Sequence, residues 1–137
     1  MASLRQAKSA FKSGKHDAEY HLAFCAHYIG DLSNPFHNML YDDFNKQRHL
    51  INDGVVDDEV MGNIDKIKNL MIPMKLNKDN FESAIAKEIA VIANNARNLG
   101  QKLKKENRDM TSEEAYIQLA QSASLLKTVL NYLKQID

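Results

Sequence analysis

Two long amphipathic segments near the C-terminus constrain the fold more than any other feature of this chain. Residues 78–107 place apolar side chains at helical spacing on one face: Phe81, Ile85, Ile89, Ile92, Ala96, Leu99 and Leu103. Thr111 and Glu114 then form a capping box, the sequence signature of a new helix start. The next segment repeats the pattern with Tyr116, Leu119, Ala120, Ala123, Leu126, Leu130 and Leu133. The sequence therefore predicts two long helices within residues 78–136.

The N-terminal part of the chain is also predicted to be helical. Glycine and proline are few, and no alternating run of β-branched residues indicates a strand. A short helix over residues 2–12 ends before Gly14, and a second helix, capped by Asp17, runs toward Asp31. Pro35 ends this second helix, because proline restrains the residue before it from helical angles.

Two further helices are predicted in the middle of the chain. One covers residues 41–52 and closes at Gly54, a residue typical of helix C-termini. The next begins at a cap formed by Asp57 or Asp58 and ends before Pro73.

Length and composition indicate one helical domain over residues 1–137. A chain of this length, with 44% hydrophobic and 26% charged residues, can bury one core. We therefore predict an all-α domain of five to six helices. Lysine plus arginine and aspartate plus glutamate balance at 18 each, which excludes a broad basic surface for nucleic acid.

The sequence leaves the compartment open. No apolar run reaches the roughly 18 residues of a membrane span, so no transmembrane segment is expected. The first residues lack the apolar centre of a secretory signal. Either the protein stays inside the cell, or the chain begins after a removed or truncated N-terminal portion. The one cysteine, Cys25, allows no internal disulfide and does not indicate a redox compartment.

Five potential metal ligands lie close together in the sequence. His27 and Asp31 are four residues apart, as are His49 and Asp53, and residues at this spacing share one face of a helix. His37 lies between the two pairs. Imidazole and carboxylate are both zinc ligands, and a catalytic zinc keeps one coordination position open. Either pair alone is also typical of a surface ion pair, so the prediction of a metal site depends on all five residues together.

The other two histidines are expected outside this site. His16 points in nearly the same direction as His27, but about 1.5 Å of rise per residue separates them by roughly 16 Å along a helix. His21 is rotated by roughly a third of a turn from His27.

The segment HYIGD at residues 27–31, followed by Pro35 and His37, resembles the core motif of the zinc-dependent phospholipase C / S1–P1 nuclease family. His49 and Asp53 match the next ligand pair of that family, whose last carboxylate is Asp or Glu. The resemblance covers residues 17–54 and, more loosely, residues 111–134, which are similar to the closing helix of the nuclease branch.

This resemblance implies a fold like that of phospholipase C and P1 nuclease, and a zinc-dependent site. His37, His49 and Asp53 would hold one zinc ion, while His27 and Asp31 would serve a closely spaced zinc pair that Asp31 bridges. The implied reaction is phosphodiester hydrolysis by metal-activated water, with Asp31 as the catalytic residue. The implied substrate is single-stranded nucleic acid or a phospholipid headgroup. The alternatives are a non-catalytic zinc-binding helical module and a plain helical bundle with a partner-binding face and no metal.

The chain departs from the family pattern at its N-terminus. Family members take further zinc ligands from an N-terminal segment: a terminal Trp with its free amine, a His, then an Asp and another His. This chain contains no Trp and has too few residues before His27 for that segment. We therefore expect either the C-terminal portion of such an enzyme or a shortened relative with an incomplete metal site. A typical family member would be exported.

The aromatic and acidic residues between the predicted ligands each allow more than one role. Phe36, Tyr41 and Phe44 would either line a substrate slot or belong to the core. Asp42 and Asp43 would either accept a hydrogen bond from a ligand imidazole, or cap a helix or face solvent.

Overall fold

The computed structural model describes residues 2–13, 18–57, 60–74, 76–77 and 79–135. This part of the chain is all-α and contains no strand, which confirms the predicted class. Its helices are α1 (Ala2–Lys12), α2 (Ala18–Leu32), α3 (Asp43–Asp57), α4 (Ile64–Leu70), α5 (Phe81–Glu106) and α6 (Ser112–Leu133). Short 3-10 turns, Pro35–His37 and Met61–Asn63, precede α3 and α4. None of the helices described here combines the length and apolar character that crossing a membrane requires.

Four helices coincide with predicted segments. α1, α2 and α6 agree closely, and α5 begins at Phe81, later than expected. The capping box is present, because Thr111 Oγ1 accepts a 3.2 Å hydrogen bond from Glu114 N and Glu114 Oε2 accepts one of 3.1 Å from Thr111 N. Asp17, the predicted cap of α2, lies outside the described residues.

Two predicted boundaries are wrong. α3 does not close at Gly54 but continues to Asp57, because Gly54 keeps the regular helical backbone there. The expected next helix is shortened, since the 3-10 turn Met61–Asn63 takes its beginning and only Ile64–Leu70 is α-helical. Asp57 is thus the last residue of α3, and Asp58 lies outside the described residues.

The main core lies between α1, α2, α5 and α6. Its buried members are Leu4, Cys25, Ile29, Phe81, Ile85, Ile92, Leu125, Val129 and Leu133. The predicted stripe of α6 omitted Leu125 and Val129, although both are fully buried. α6 contacts α2, α3, α4 and α5, so it buries a wider surface than one amphipathic face. Burial of each large apolar side chain contributes about 1.5–3 kcal/mol.

A second cluster holds the turn that carries His37. Phe36 is 2% exposed and packs with Leu103 of α5, Met110 and Ala115. A third cluster, built from Ile67, Tyr116 and Ala120, attaches α4 to α6.

Gly100 allows α5 to approach the same turn closely. A Cβ atom at this position would lie 3.0 Å from Met39 Sδ and 3.2 Å from the carbonyl oxygen of Pro35. The second distance is tighter than normal packing, so only glycine fits without a shift of the Pro35 backbone. The contact therefore helps to fix the location of His37, two residues further along.

α3 is attached to the connection between α5 and α6. Arg48 Nη1 lies 2.9 Å from Asp109 Oδ1, and Asn52 Nδ2 donates a 2.9 Å hydrogen bond to the same oxygen. Asn52 Oδ1 also accepts a 2.7 Å bond from Met110 N. The hydrogen bond from Arg48, followed by that from Asn52, lowers the pKa of Asp109. These contacts orient the helix that carries His49 and Asp53.

Candidate metal centre

The five predicted ligands lie on three neighbouring elements. α2 presents His27 and Asp31 one turn apart, and α3 presents His49 and Asp53 in the same way. The 3-10 turn between these helices carries His37. The helical spacing of each pair thus places its two side chains on one face, as predicted.

The five side chains form one continuous row. His27 Nε2 lies 3.5 Å from Asp31 Oδ2, and Asp31 Oδ1 lies 3.4 Å from His37 Nδ1. On the far side, His37 Nε2 lies 3.9 Å from Asp53 Oδ1, and Asp53 Oδ2 lies 3.4 Å from His49 Nε2. The structure therefore brings together all five residues, with the His37 ring between two carboxylates.

His37, His49 and Asp53 have the geometry of a group that can hold a metal ion. One ligand atom from each lies within 4.8 Å of the other two. Metal–ligand bonds of about 2.1 Å in a tetrahedral site place ligand atoms about 3.4 Å apart, so only small side-chain movements are needed. Two imidazole nitrogens and one carboxylate oxygen suit zinc, and they also suit other divalent transition metals. Three protein ligands leave a fourth position open.

His27 and Asp31 extend the row toward solvent. The His27 side chain is 70% exposed, whereas that of Asp31 is 34% exposed. His21 lies on the same helix and contacts the ring of Tyr20, apart from the row. His16 lies outside the described residues.

Asn34 supports the Asp53 carboxylate, a role that the sequence analysis missed. Its Nδ2 donates a 2.6 Å hydrogen bond to Asp53 Oδ1. Its Oδ1 accepts a 2.9 Å bond from Phe36 N and so caps the 3-10 turn. Asparagine before proline indicated only the helix break, although its capping tendency was a signal for an ordered side chain here.

Asn45 is a second polar residue that the sequence analysis missed. It is fully buried, and its Oδ1 lies 3.0 Å from His49 Nδ1. Its Nδ2 donates to the carbonyl oxygens of Phe36 and Leu40 at 2.8 and 3.3 Å. The one available signal was the four-residue spacing to His49, which places both side chains on one face of α3.

The aspartates suggested for this supporting role lie elsewhere. Asp42 forms an ion pair with Lys104, and this hydrogen bond lowers the pKa of the Asp42 carboxyl. Asp43 is exposed and lies 3.9 Å from Lys46. Neither contact involves a ligand imidazole. Asp42 Oδ1 instead accepts a 3.1 Å hydrogen bond from Asn45 N in the first turn of α3, which fits the helix-capping alternative, and Asp43 faces solvent.

The aromatic residues near the site divide into core and surface. Phe36 is buried and stacks on the partly buried Phe44, with ring centroids 6.1 Å apart. Tyr41 is 65% exposed, and its ring meets that of His49 edge to face at 6.3 Å. Of the three aromatic residues between the ligands, Tyr41 alone faces outward beside the row.

α6 anchors the end of α2 that carries Asp31. Ser122 Oγ donates a 2.7 Å hydrogen bond to the carbonyl oxygen of Ile29 and lies 2.5 Å from Ser33 Oγ. Both serines are buried. These bonds cross-link the last turn of α2 to a long helix and limit the movement of the Asp31 backbone.

A pocket of about 330 Å³ opens beside the row. Four of the five predicted ligands line it: His27, Asp31, His37 and Asp53. The opposite wall is formed by Ala115, Gln118 and Leu119 of α6 and by Met110, which lies in the connection between α5 and α6. The pocket thus has the predicted ligand side chains on one side and a largely apolar surface on the other.

Comparisons of this chain with known protein families, with curated proteins and with solved structures find no match.

Proposed function

We propose that this chain is a zinc-dependent phosphodiester hydrolase of the nuclease or phospholipase C type, with a fold similar to that family. The observation that carries the proposal is the group His37, His49 and Asp53, whose ligand atoms lie within 4.8 Å of one another. The motif at residues 27–37 adds support, because the same residues that resemble the family's ligands form one row beside a pocket.

The donor set fits zinc. His37, His49 and Asp53 supply two nitrogens and one oxygen without any cysteine, a combination found in catalytic zinc sites with an open position. When bound, zinc supplies Lewis-acid stabilisation of phosphoryl oxygens and activates water for attack on phosphorus. Holding the nucleophile and contacting the substrate are roles for the side chains of this protein.

Asp31 is the residue that we assign to catalysis. Its carboxylate lies between His27 Nε2 and His37 Nδ1 and lines the pocket, so it can accept a hydrogen bond from a nucleophile held there. The hydrogen bond from Ser122 to the Ile29 carbonyl oxygen limits the movement of the α2 backbone that carries this residue. His27, at the exposed edge, can contact a phosphoryl oxygen of a substrate that enters from solvent.

The pocket indicates the kind of substrate. Its apolar wall of Met110, Ala115 and Leu119 offers a surface for a base or for the first carbons of a lipid, and the Gln118 amide adds a polar group. The balanced net charge does not favour tight binding of duplex nucleic acid. Single strands and phospholipid headgroups are therefore the two substrate classes to compare.

Hydrolysis of bis-p-nitrophenyl phosphate tests the activity directly. We expect turnover with added zinc, loss of turnover with a chelator, and loss in His37→Ala. His21→Ala is the matched control, because it removes a histidine of α2 that lies apart from the row. Separate assays with a single-stranded oligonucleotide and a short-chain phosphatidylcholine then distinguish the substrate classes. Zinc-loaded protein that hydrolyses none of these compounds contradicts the proposal.

A non-catalytic zinc-binding module is the second candidate. It is favoured by one observation: the three grouped ligands come from the 3-10 turn and from α3, so a bound ion would cross-link two elements. Metal binding can contribute strongly to folding in small domains. A large zinc-induced rise in melting temperature without any turnover would support this function over hydrolysis.

A further inference from the structure

We infer that Asn45 is a positioning residue that fixes the tautomer of His49 and thereby makes Nε2 the metal-binding atom. The inference rests on the metal binding in the proposed function, but its central test needs neither metal nor substrate.

The orientation of the Asn45 amide is determined by its surroundings. Its Nδ2 donates to the carbonyl oxygens of Phe36 and Leu40, which accept hydrogen bonds and cannot donate them. A flipped amide would bring Oδ1 against these two oxygens in a position with no solvent exposure. Burial of such unpaired acceptors is costly, so Oδ1 must face the other way, toward His49.

This orientation dictates the proton position on His49. Asn45 Oδ1 can only accept a hydrogen bond, and it lies 3.0 Å from His49 Nδ1. The Asp53 carboxylate beside Nε2 is also an acceptor, but its contact is longer, at 3.4 Å, so the shorter hydrogen bond places the hydrogen of the neutral ring on Nδ1 and leaves Nε2 with its lone pair. Nε2 is the atom that lies 3.4 Å from Asp53 Oδ2, on the side of the grouped ligands.

Asn45 also couples the two ligand imidazoles. It binds the carbonyl of Phe36, which is the residue before His37, and it binds the ring of His49. The ring centroids of His37 and His49 are 4.8 Å apart. Loss of the Asn45 side chain would therefore release both the His49 ring and the turn that carries His37.

The first test is the tautomer of His49 in the metal-free wild-type chain. At about pH 9 an ordinary imidazole is neutral, and long-range proton–nitrogen NMR correlations then distinguish its two nitrogens. We expect His49 with its hydrogen on Nδ1. A spectrum in which the hydrogen resides mainly on Nε2 overturns the inference. This outcome is independent of turnover, so a failure of the inference and a failure of the proposed hydrolase activity are distinguishable.

The second test compares Asn45→Ala with Asn52→Ala. Asn52 is an equally buried asparagine of the same helix, but its amide binds Arg48, Asp109 and Met110 rather than a histidine. Zinc affinity, measured by competition with a chromophoric chelator, should fall about 10–100-fold in Asn45→Ala, the usual effect of losing a partner of a metal-bound histidine.

Asn52→Ala removes contacts that orient α3 as a whole but that touch no ligand side chain, so it should lose less affinity than Asn45→Ala. Equal losses in the two variants would mean that Asn45 acts only through stability, and this result overturns the inference. If Asn45→Ala does not fold, the wild-type NMR measurement still decides between the two tautomers.

Discussion

Asn34 Nδ2 donates a 2.6 Å hydrogen bond to Asp53 Oδ1 and so joins the start of the 3-10 turn to α3. The bond leaves Asp53 Oδ2 facing His49 Nε2, at 3.4 Å. Because the Asn34 Oδ1 atom already accepts from Phe36 N, the amide can serve Asp53 only as a donor. One side chain therefore both caps the turn and holds the Asp53 oxygen that lies nearest to His37 Nε2, while the other oxygen faces His49.

Asn34→Asp should destabilise the metal-free protein and increase its response to zinc. The new carboxylate keeps an acceptor for Phe36 N but replaces the donor to Asp53 with a like charge. Loss of a hydrogen bond to a charged group costs about 1.5 kcal/mol, and a bound cation would offset the new repulsion. Thermal melts with and without zinc should show a lower metal-free melting temperature and a larger zinc-induced rise than in wild type.

Asn38→Asp provides a control for Asn34→Asp in the same segment. The Asn38 amide donates to the backbone carbonyl oxygens of Leu32 and Asn34 and, at 3.4 Å, of Asp31, but to no carboxylate. This variant should also be less stable, but its zinc-induced rise should match that of wild type. A rise that is equally large in both variants would refute the assigned role of Asn34.

Gly100→Ala should destabilise the protein and weaken its zinc binding. The added methyl group would lie 3.2 Å from the carbonyl oxygen of Pro35, so the backbone near His37 must move. Overpacking of this kind costs about 1–3 kcal/mol, which exceeds the gain of about 1 kcal/mol from replacing glycine in a helix. Urea unfolding and a zinc titration measure the two effects.

Gly54→Ala is the matched substitution without a clash. Apart from the adjacent residues and the backbone of α3 itself, no atom of the described residues lies within 4 Å of a Cβ at this position, which is inside α3. Stability should increase by about 0.5–1 kcal/mol, because alanine has the higher helix propensity. If both alanine variants were more stable than wild type, the claim that α5 packs too closely on Pro35 to admit a side chain at Gly100 would be refuted.

Stability should fall in acid through Glu114. Two hydrogen bonds from Arg108, at 2.7 and 2.8 Å, lower the pKa of the Glu114 carboxyl to about 2 from its ordinary 4.5. A carboxyl with a depressed pKa in the folded state stabilises that state above its unfolded pKa. This contribution is therefore complete above pH 4.5 and is lost as the pH falls toward 2.

Glu114→Gln isolates this contribution. Glutamine can still complete the capping box with Thr111 but does not titrate. Free energies of unfolding measured from pH 5 down to about pH 3 should decline less steeply in the variant than in wild type. Identical slopes would show that the Arg108–Glu114 pair does not stabilise the folded state.

Local sequence signals were sufficient for most of the helices. Thr111 and Glu114 define the start of α6 because their bonds involve only the first helical turn. The pairing of His27 with Asp31, and of His49 with Asp53, follows from helical spacing alone. The all-α class and the row of predicted ligands were therefore accessible from short-range patterns.

The remaining features depend on contacts between distant residues. Gly54 is compatible both with a helix end and with a helix interior, so the local pattern did not determine that α3 continues to Asp57. Asn45 gains its role only because the Phe36 carbonyl reaches it from the preceding turn. Likewise, the burial of Leu125 requires that α6 be surrounded by other helices.

Calorimetric titration of zinc into the metal-free chain tests most directly whether His37, His49 and Asp53 form a metal site. Wild type and His21→Ala should bind at least one zinc ion per chain. His49→Ala should lose that binding, since it removes one of three protein ligands. Absence of zinc binding in wild type, or equal binding in wild type and His49→Ala, would contradict the account.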